Sequence, residues 1–181
     1  MKKLWIPILL VVLLVIGLFS GYNGLVKEDE AVNGAWSKVE TQLQRRSDLI
    51  PNLVATVKGY AALETAIYTA LAEARAKLAG ASTVSETEQA TGELNDAISR
   101  LLVIVENYPE LKSNVNFLAL QDELAGTENR IATARTDYND AVQVYNTKIK
   151  SLPTVFYAGL LGFSPKEYFQ ADDDANPQVE F

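Results

Sequence analysis

Apolar residues fall into one unbroken block near the start of the chain, followed by stripes of helical period. The block runs from Leu4 to Phe19, interrupted only by Pro7 and Gly17. Extended to Tyr22, it makes about 28 Å of helix at about 1.5 Å per residue, close to a hydrocarbon core of about 30 Å. Trp5 and Tyr22 then stand about 25 Å apart, at the two headgroup levels that amphipathic rings prefer. Pro7 falls in the first turn, where a missing donor costs least. A cleaved signal peptide shares the basic start and apolar stretch. Its cleavage needs small residues one and three positions upstream, yet Leu18 precedes Ser20 and Phe19 precedes Gly21. An uncleaved anchor is expected over residues 1–26.

Lysine bias sets the orientation. Lys2 and Lys3 lie on one flank, and Lys27, Glu28, Asp29 and Glu30 on the other. The expectation is a single-pass span with a cytoplasmic N-terminus and an extracytoplasmic remainder. Gly17 and Gly21 form a Gly-x-x-x-Gly pair that lets spanning helices approach closely and self-associate. Glycine is also common near the ends of spanning helices, which is the plainer reading.

Four stripes follow. Leu25, Val32, Trp36, Val39 and Leu43 mark one helical face. Pro51 disfavours helix at the residue before it, so a hairpin is expected there rather than one long kinked helix. The apolar phase does carry through Leu43, Arg46, Ile50 and Leu53, but a single helix over 22–79 would far outrun the helices available to cover it. Leu53, Val57, Tyr60, Ile67, Leu71 and Leu78 mark the second helix, with Gly80 as its C-terminal cap. Ser85-x-x-Glu88 reads as a capping box opening a third helix, with Leu94, Ile98, Leu101, Leu102 and Val105 on its face. The fourth runs from about Asn114 to Ser151, nearly a heptad repeat through Phe117, Leu120, Leu124, Ile131, Tyr138, Val142, Tyr145 and Ile149. No stretch alternates with period two. The fold class is all-α: a transmembrane helix, then an antiparallel up-down four-helix bundle over residues 27–152.

An apolar, aromatic segment covers 153–170. In an up-down bundle it returns to the bilayer, where Phe156, Tyr157 and Phe163 suit the interface; alternatively it caps the end of the bundle. Residues 171–181 are acidic, proline-containing and expected to be disordered.

Composition now removes chemistry. Cysteine and histidine are both absent, which excludes disulfides, thiol nucleophiles, the commonest general base and the commonest neutral metal ligand. Net charge is −7, four of it in Asp172, Asp173, Asp174 and Glu180, so no basic surface suits nucleic acid. Nucleophile-elbow, phosphate-loop and dinucleotide motifs are missing.

Arg46, Glu64, Arg75, Glu106, Glu128 and Arg135 fall on or beside the apolar stripes and are expected to meet as structural ion pairs. A ferritin-like di-metal site needs histidines that this chain lacks. An all-carboxylate cation site is opposed by the nearby arginines. No catalytic, cofactor-binding or metal residue is therefore assigned, and no cofactor is expected.

Several stretches resemble the LemA family: Tyr22-Asn-Gly-Leu-Val, Ala35-Trp36-Ser37, Arg45 through Val54 with Val57-Lys-Gly-Tyr60, Glu106-Asn-Tyr-Pro-Glu-Leu-Lys112, Thr127 through Arg135, Tyr138-Asn139 and Tyr145-Asn146. The resemblance implies an N-terminal anchor followed by a four-helix bundle. It delivers no reaction, and Leu63-Glu64 stands where the family commonly carries His-Glu. Relatives associated with magnetosome membranes, and members encoded near membrane metalloproteases, imply a scaffold or adaptor. The resulting expectation is a non-catalytic, self-associating module of the bacterial envelope, single-pass in the inner membrane. Its partners would be the lipid bilayer, further copies of itself and other envelope proteins, a membrane metalloprotease among them. The alternatives are a metal-dependent or hydrolytic enzyme using interior Glu and Arg, and a membrane-remodelling protein acting through its aromatic segment.

Overall fold

The computed structural model describes residues 2–59 and 65–170. Glu64 and the acidic tail from 171 lie outside the described residues. Among the described residues five α-helices follow in order: α1 Lys2–Lys58, α2 Thr65–Gly80, α3 Val84–Val105, α4 Pro109–Lys112 and α5 Val115–Lys150. Two single-turn 3₁₀ helices, Thr154–Phe156 and Gly159–Leu161, come after them. No strand occurs among the described residues, and the fold is an all-α helical bundle.

The expected hairpin at Pro51 is absent: α1 passes through it and ends at Lys58. The apolar phase decides this. Leu43, Ile50, Leu53 and Val57 are all buried along one side of the same helix, while Pro51 is exposed. A proline inside a helix costs about 3 kcal/mol. Burying each of Ile50, Leu53 and Val57 returns about 1.5–3 kcal/mol, so together they outweigh it.

The chain divides into two compact units, Met1–Ser37 with Asp137–Glu167, and Lys38–Thr136 with Tyr168–Phe181. The second is built on Ile50, Leu53 and Val57 of α1, Leu71 and Ala74 of α2, Leu94, Ile98 and Leu101 of α3, and Phe117 and Leu124 of α5. Leu111 of α4 plugs the same core at 0% exposure. Local chemistry fixes the helix ends here. Thr83, not Ser85, opens α3: its hydroxyl accepts from the Glu86 amide, and the Glu86 carboxylate accepts from the Thr83 amide. Both positions fit the Ser/Thr-x-x-Glu pattern. Starting two residues earlier adds Val84 to the buried face that Thr87 and Thr91 share, and Ser82 adds two more donors to Glu86. Asn114 caps α5 by accepting from the amides of Asn116 and Phe117.

The first unit pairs the earlier part of α1 with the later part of α5. Leu25, Val32 and Ala35 meet Tyr138, Val142, Tyr145 and Ile149 as its buried side chains. Trp36 and Tyr138 rings lie 5.5 Å apart, and Lys148 reaches Glu28, so the two helices run antiparallel.

Candidate functional site

The opening part of α1 is long and apolar enough to cross a membrane, with a mean hydropathy of 2.2 over its most apolar window. Almost none of that window is buried within the protein. Trp5, Leu9, Leu13, Ile16 and Phe19 are all exposed.

Where this run ends, the C-terminal segment packs on it. A Cβ at Gly21 would overlap the Tyr157 hydroxyl, so glycine is what lets the phenol lie on the helix. One turn on, Lys148 Nζ donates to the Gly24 carbonyl at 2.8 Å and meets Glu28 at 3.1 Å. Gly162 adopts φ +85°, the left-handed conformation that glycine tolerates, and ends the second 3₁₀ helix. The Phe163 amide then donates back to the Ala158 carbonyl, and the Phe163 ring returns edge-on to Tyr22 at 5.8 Å.

The segment thus caps this end of the first unit and still faces outward. Thr154 and Ala158 are buried, whereas Phe156 is 75% and Leu160 88% exposed. Gly17 and Gly21 do not form one open small-residue face: Gly17 has open space and Gly21 lies beneath Tyr157.

A polar strap holds the following residues. The Asn146 side chain, itself buried, donates to the Lys166 carbonyl and accepts from the Lys166 amide, both at 2.9 Å. Tyr138 donates to the Glu167 carbonyl at 3.1 Å. Lys166 Nζ reaches Asp29 at 3.1 Å, and the Tyr145 hydroxyl bonds the same carboxylate. Burial first, and then the Asp29 charge and hydrogen bond, push the Tyr145 hydroxyl above its ordinary value. Burial and Glu167 do the same to Tyr138.

The charged residues on the stripes lie in the second unit. Arg46, 7% exposed, pairs with Glu128. Burial, and then the like charge of Arg135, lower its pKa from the ordinary arginine value. Arg135 lies over the Phe169 ring at 5.1 Å. Arg75 donates to Ser47 at 3.1 Å and approaches Asp48 at 3.6 Å. Glu106, the C-cap of α3, follows buried Val105 and is itself exposed, away from the core. Among the described residues no three acidic groups are placed to hold a metal ion.

The sequence model of the LemA family matches residues 35–181. The chain belongs to the LemA family. Magnetosome protein MamQ 2 of Paramagnetospirillum magneticum is 31% identical over 191 residues, covering 91% of this chain and 70% of the relative. MamQ of Magnetospirillum gryphiswaldense is 29% identical over 190 residues, with 91% and 70% covered. Protein LemA of Metamycoplasma hominis is 23% identical over 162 residues, covering 87% and 73%.

In this LemA-family chain, sequence reasoning passed over Asn146 and Lys148 as functional positions. The available signal was a polar residue beside the apolar stripe of α5, between Tyr145 and Ile149. Such a residue must find a partner when buried, and it finds the backbone of Lys166.

Proposed function

We propose that this LemA-family protein is a membrane-anchored, non-catalytic helical module that meets one bilayer surface at two points. The apolar run of α1 crosses the membrane, and the 3₁₀ segment rests on the surface where α1 emerges. The carrying observation is Tyr157 on Gly21 and Phe163 on Tyr22, with Phe156 and Leu160 left uncovered beside them. An aromatic and apolar segment held at the end of an apolar run suits the headgroup boundary. The helices beyond it present surface to envelope proteins, as a scaffold would, with the N-terminus cytoplasmic. That relatives carry the name magnetosome protein supports a membrane setting. Self-association through Gly17 and Gly21 requires Tyr157 to leave its seat, so contacts between copies are better sought on other surfaces.

Alkaline carbonate extraction of the full chain reconstituted in vesicles tests the anchor. The protein stays with the lipid in this reading, and Leu9→Asp with Leu13→Asp releases it. Quantitative release of the unaltered chain would overturn the reading.

A further inference from the structure

Between the last turn of the apolar run and the 3₁₀ helices lies a groove of about 470 Å³, lined by Leu18, Phe19, Tyr22, Tyr157, Leu160 and Leu161. Its size falls within the range of small-molecule sites, about 300–1,000 Å³. Such sites carry a few placed polar groups that orient a soluble ligand, and this wall exposes only apolar atoms. Water fits it poorly, since an ordered water needs two to four polar partners. The groove instead matches an occupant without polar atoms.

Its position names the occupant. Leu18 and Phe19 belong to the apolar run itself, and Tyr22 ends it about 25 Å from Trp5 at about 1.5 Å per residue. That is the level at which acyl chains begin below the headgroups. The groove is continuous with the surface that the bilayer covers, so the apolar matter adjoining it is hydrocarbon.

We propose that an acyl chain of a bilayer phospholipid occupies this groove, wedged between α1 and the C-terminal segment. The inference rests on the anchored reading above. A seated chain covers Leu161 and the inner side of Leu160, and its contacts with Phe19 and Tyr157 hold the segment against the helix. The C-terminal segment then senses the lipid beside it as well as the helix beneath.

The test uses the full chain in vesicles of phosphatidylcholine and phosphatidylglycerol that include a phospholipid with a diazirine on its acyl chain. Irradiation and residue-level mass mapping locate the adducts. The expected result is adducts on Phe19, Tyr157 and Leu161 as well as along the span. Leu161→Asp lowers labelling of Tyr157 at least tenfold and leaves labelling of the span unchanged. Adducts on the span and on Phe156, with none on Tyr157 or Leu161, overturn the seated chain and leave the anchor standing. Labelling of Tyr157 that Leu161→Asp does not reduce overturns it equally. No adduct anywhere overturns the anchored reading and this inference together.

Discussion

The Tyr157 phenol rests directly on Gly21, in a space that any Cβ at residue 21 would occupy. A residue that looks from sequence like part of a helix-association motif is thereby used within the chain. Gly17, four residues earlier, has open space around it. The two glycines therefore respond differently to substitution. Gly21→Leu displaces Tyr157, costs about 1–3 kcal/mol as an overpacked contact, and strips amide protection from residues 157–163. Gly17→Ala leaves that protection unchanged. Hydrogen exchange of the full chain in detergent micelles reads both.

Asn146 is a second discriminating position. Asn146→Ala leaves the amide and carbonyl of Lys166 without their side-chain partners. Loss of a buried polar partner costs about 1–3 kcal/mol. Asn146→Asp keeps an acceptor for the Lys166 amide and loses the donor to its carbonyl, so it falls between Ala and the unaltered chain. The midpoint of urea unfolding orders the three.

Arg46 and Glu128 test what the interior charges do. Arg46 is buried and has Arg135 nearby, while the Glu128 side chain is 45% exposed. Glu128→Gln leaves a buried cation without its counter-charge and destabilises the second unit by about 1–3 kcal/mol. The double variant Arg46→Met with Glu128→Gln removes that penalty and recovers most of the loss. Thermal unfolding of the single and double variants measures the difference.

The two buried tyrosines set an alkaline limit. Tyr138 and Tyr145 are both raised above 10.0, by burial first and then by Glu167 and Asp29 respectively. The folded chain therefore holds these protons more tightly than the unfolded chain. Their contribution is complete below the unfolded value of about 10 and is lost as pH rises through the folded values. Denaturant midpoints are expected to fall above about pH 10. Tyr145→Phe makes that fall shallower.

Much of this was legible in the chain. A helical period reports which side of an element is buried, so the sequence alone places Leu94, Ile98 and Leu101, and Tyr138, Val142 and Tyr145, on buried faces. The helix through Pro51 was not legible, because the rule about the residue before proline and the excessive length of a helix over 22–79 both opposed it, whereas α1 keeps the buried stripe and ends at Lys58. Ser85 misled because Thr83 satisfies the same capping pattern two residues earlier. The Tyr157 seat on Gly21 leaves no local mark, and the Asn146 strap shows only as a polar residue beside the α5 stripe, which does not name its partner. Each joins residues more than a hundred or about twenty positions apart, and depends on how α1 and α5 pair in the first unit.

In the proposed arrangement the C-terminal segment and the apolar run of α1 meet the same bilayer surface. Because the chain has no cysteine, a single nitroxide can be placed at Phe156→Cys, with Ala31→Cys on α1 as the aqueous reference. Collisional accessibility to oxygen and to a nickel chelate is then compared in micelles and in vesicles. In vesicles the label at 156 should gain oxygen and lose nickel accessibility, while the label at 31 stays aqueous. Equal, water-like accessibility at both positions would mean that the segment does not touch the bilayer.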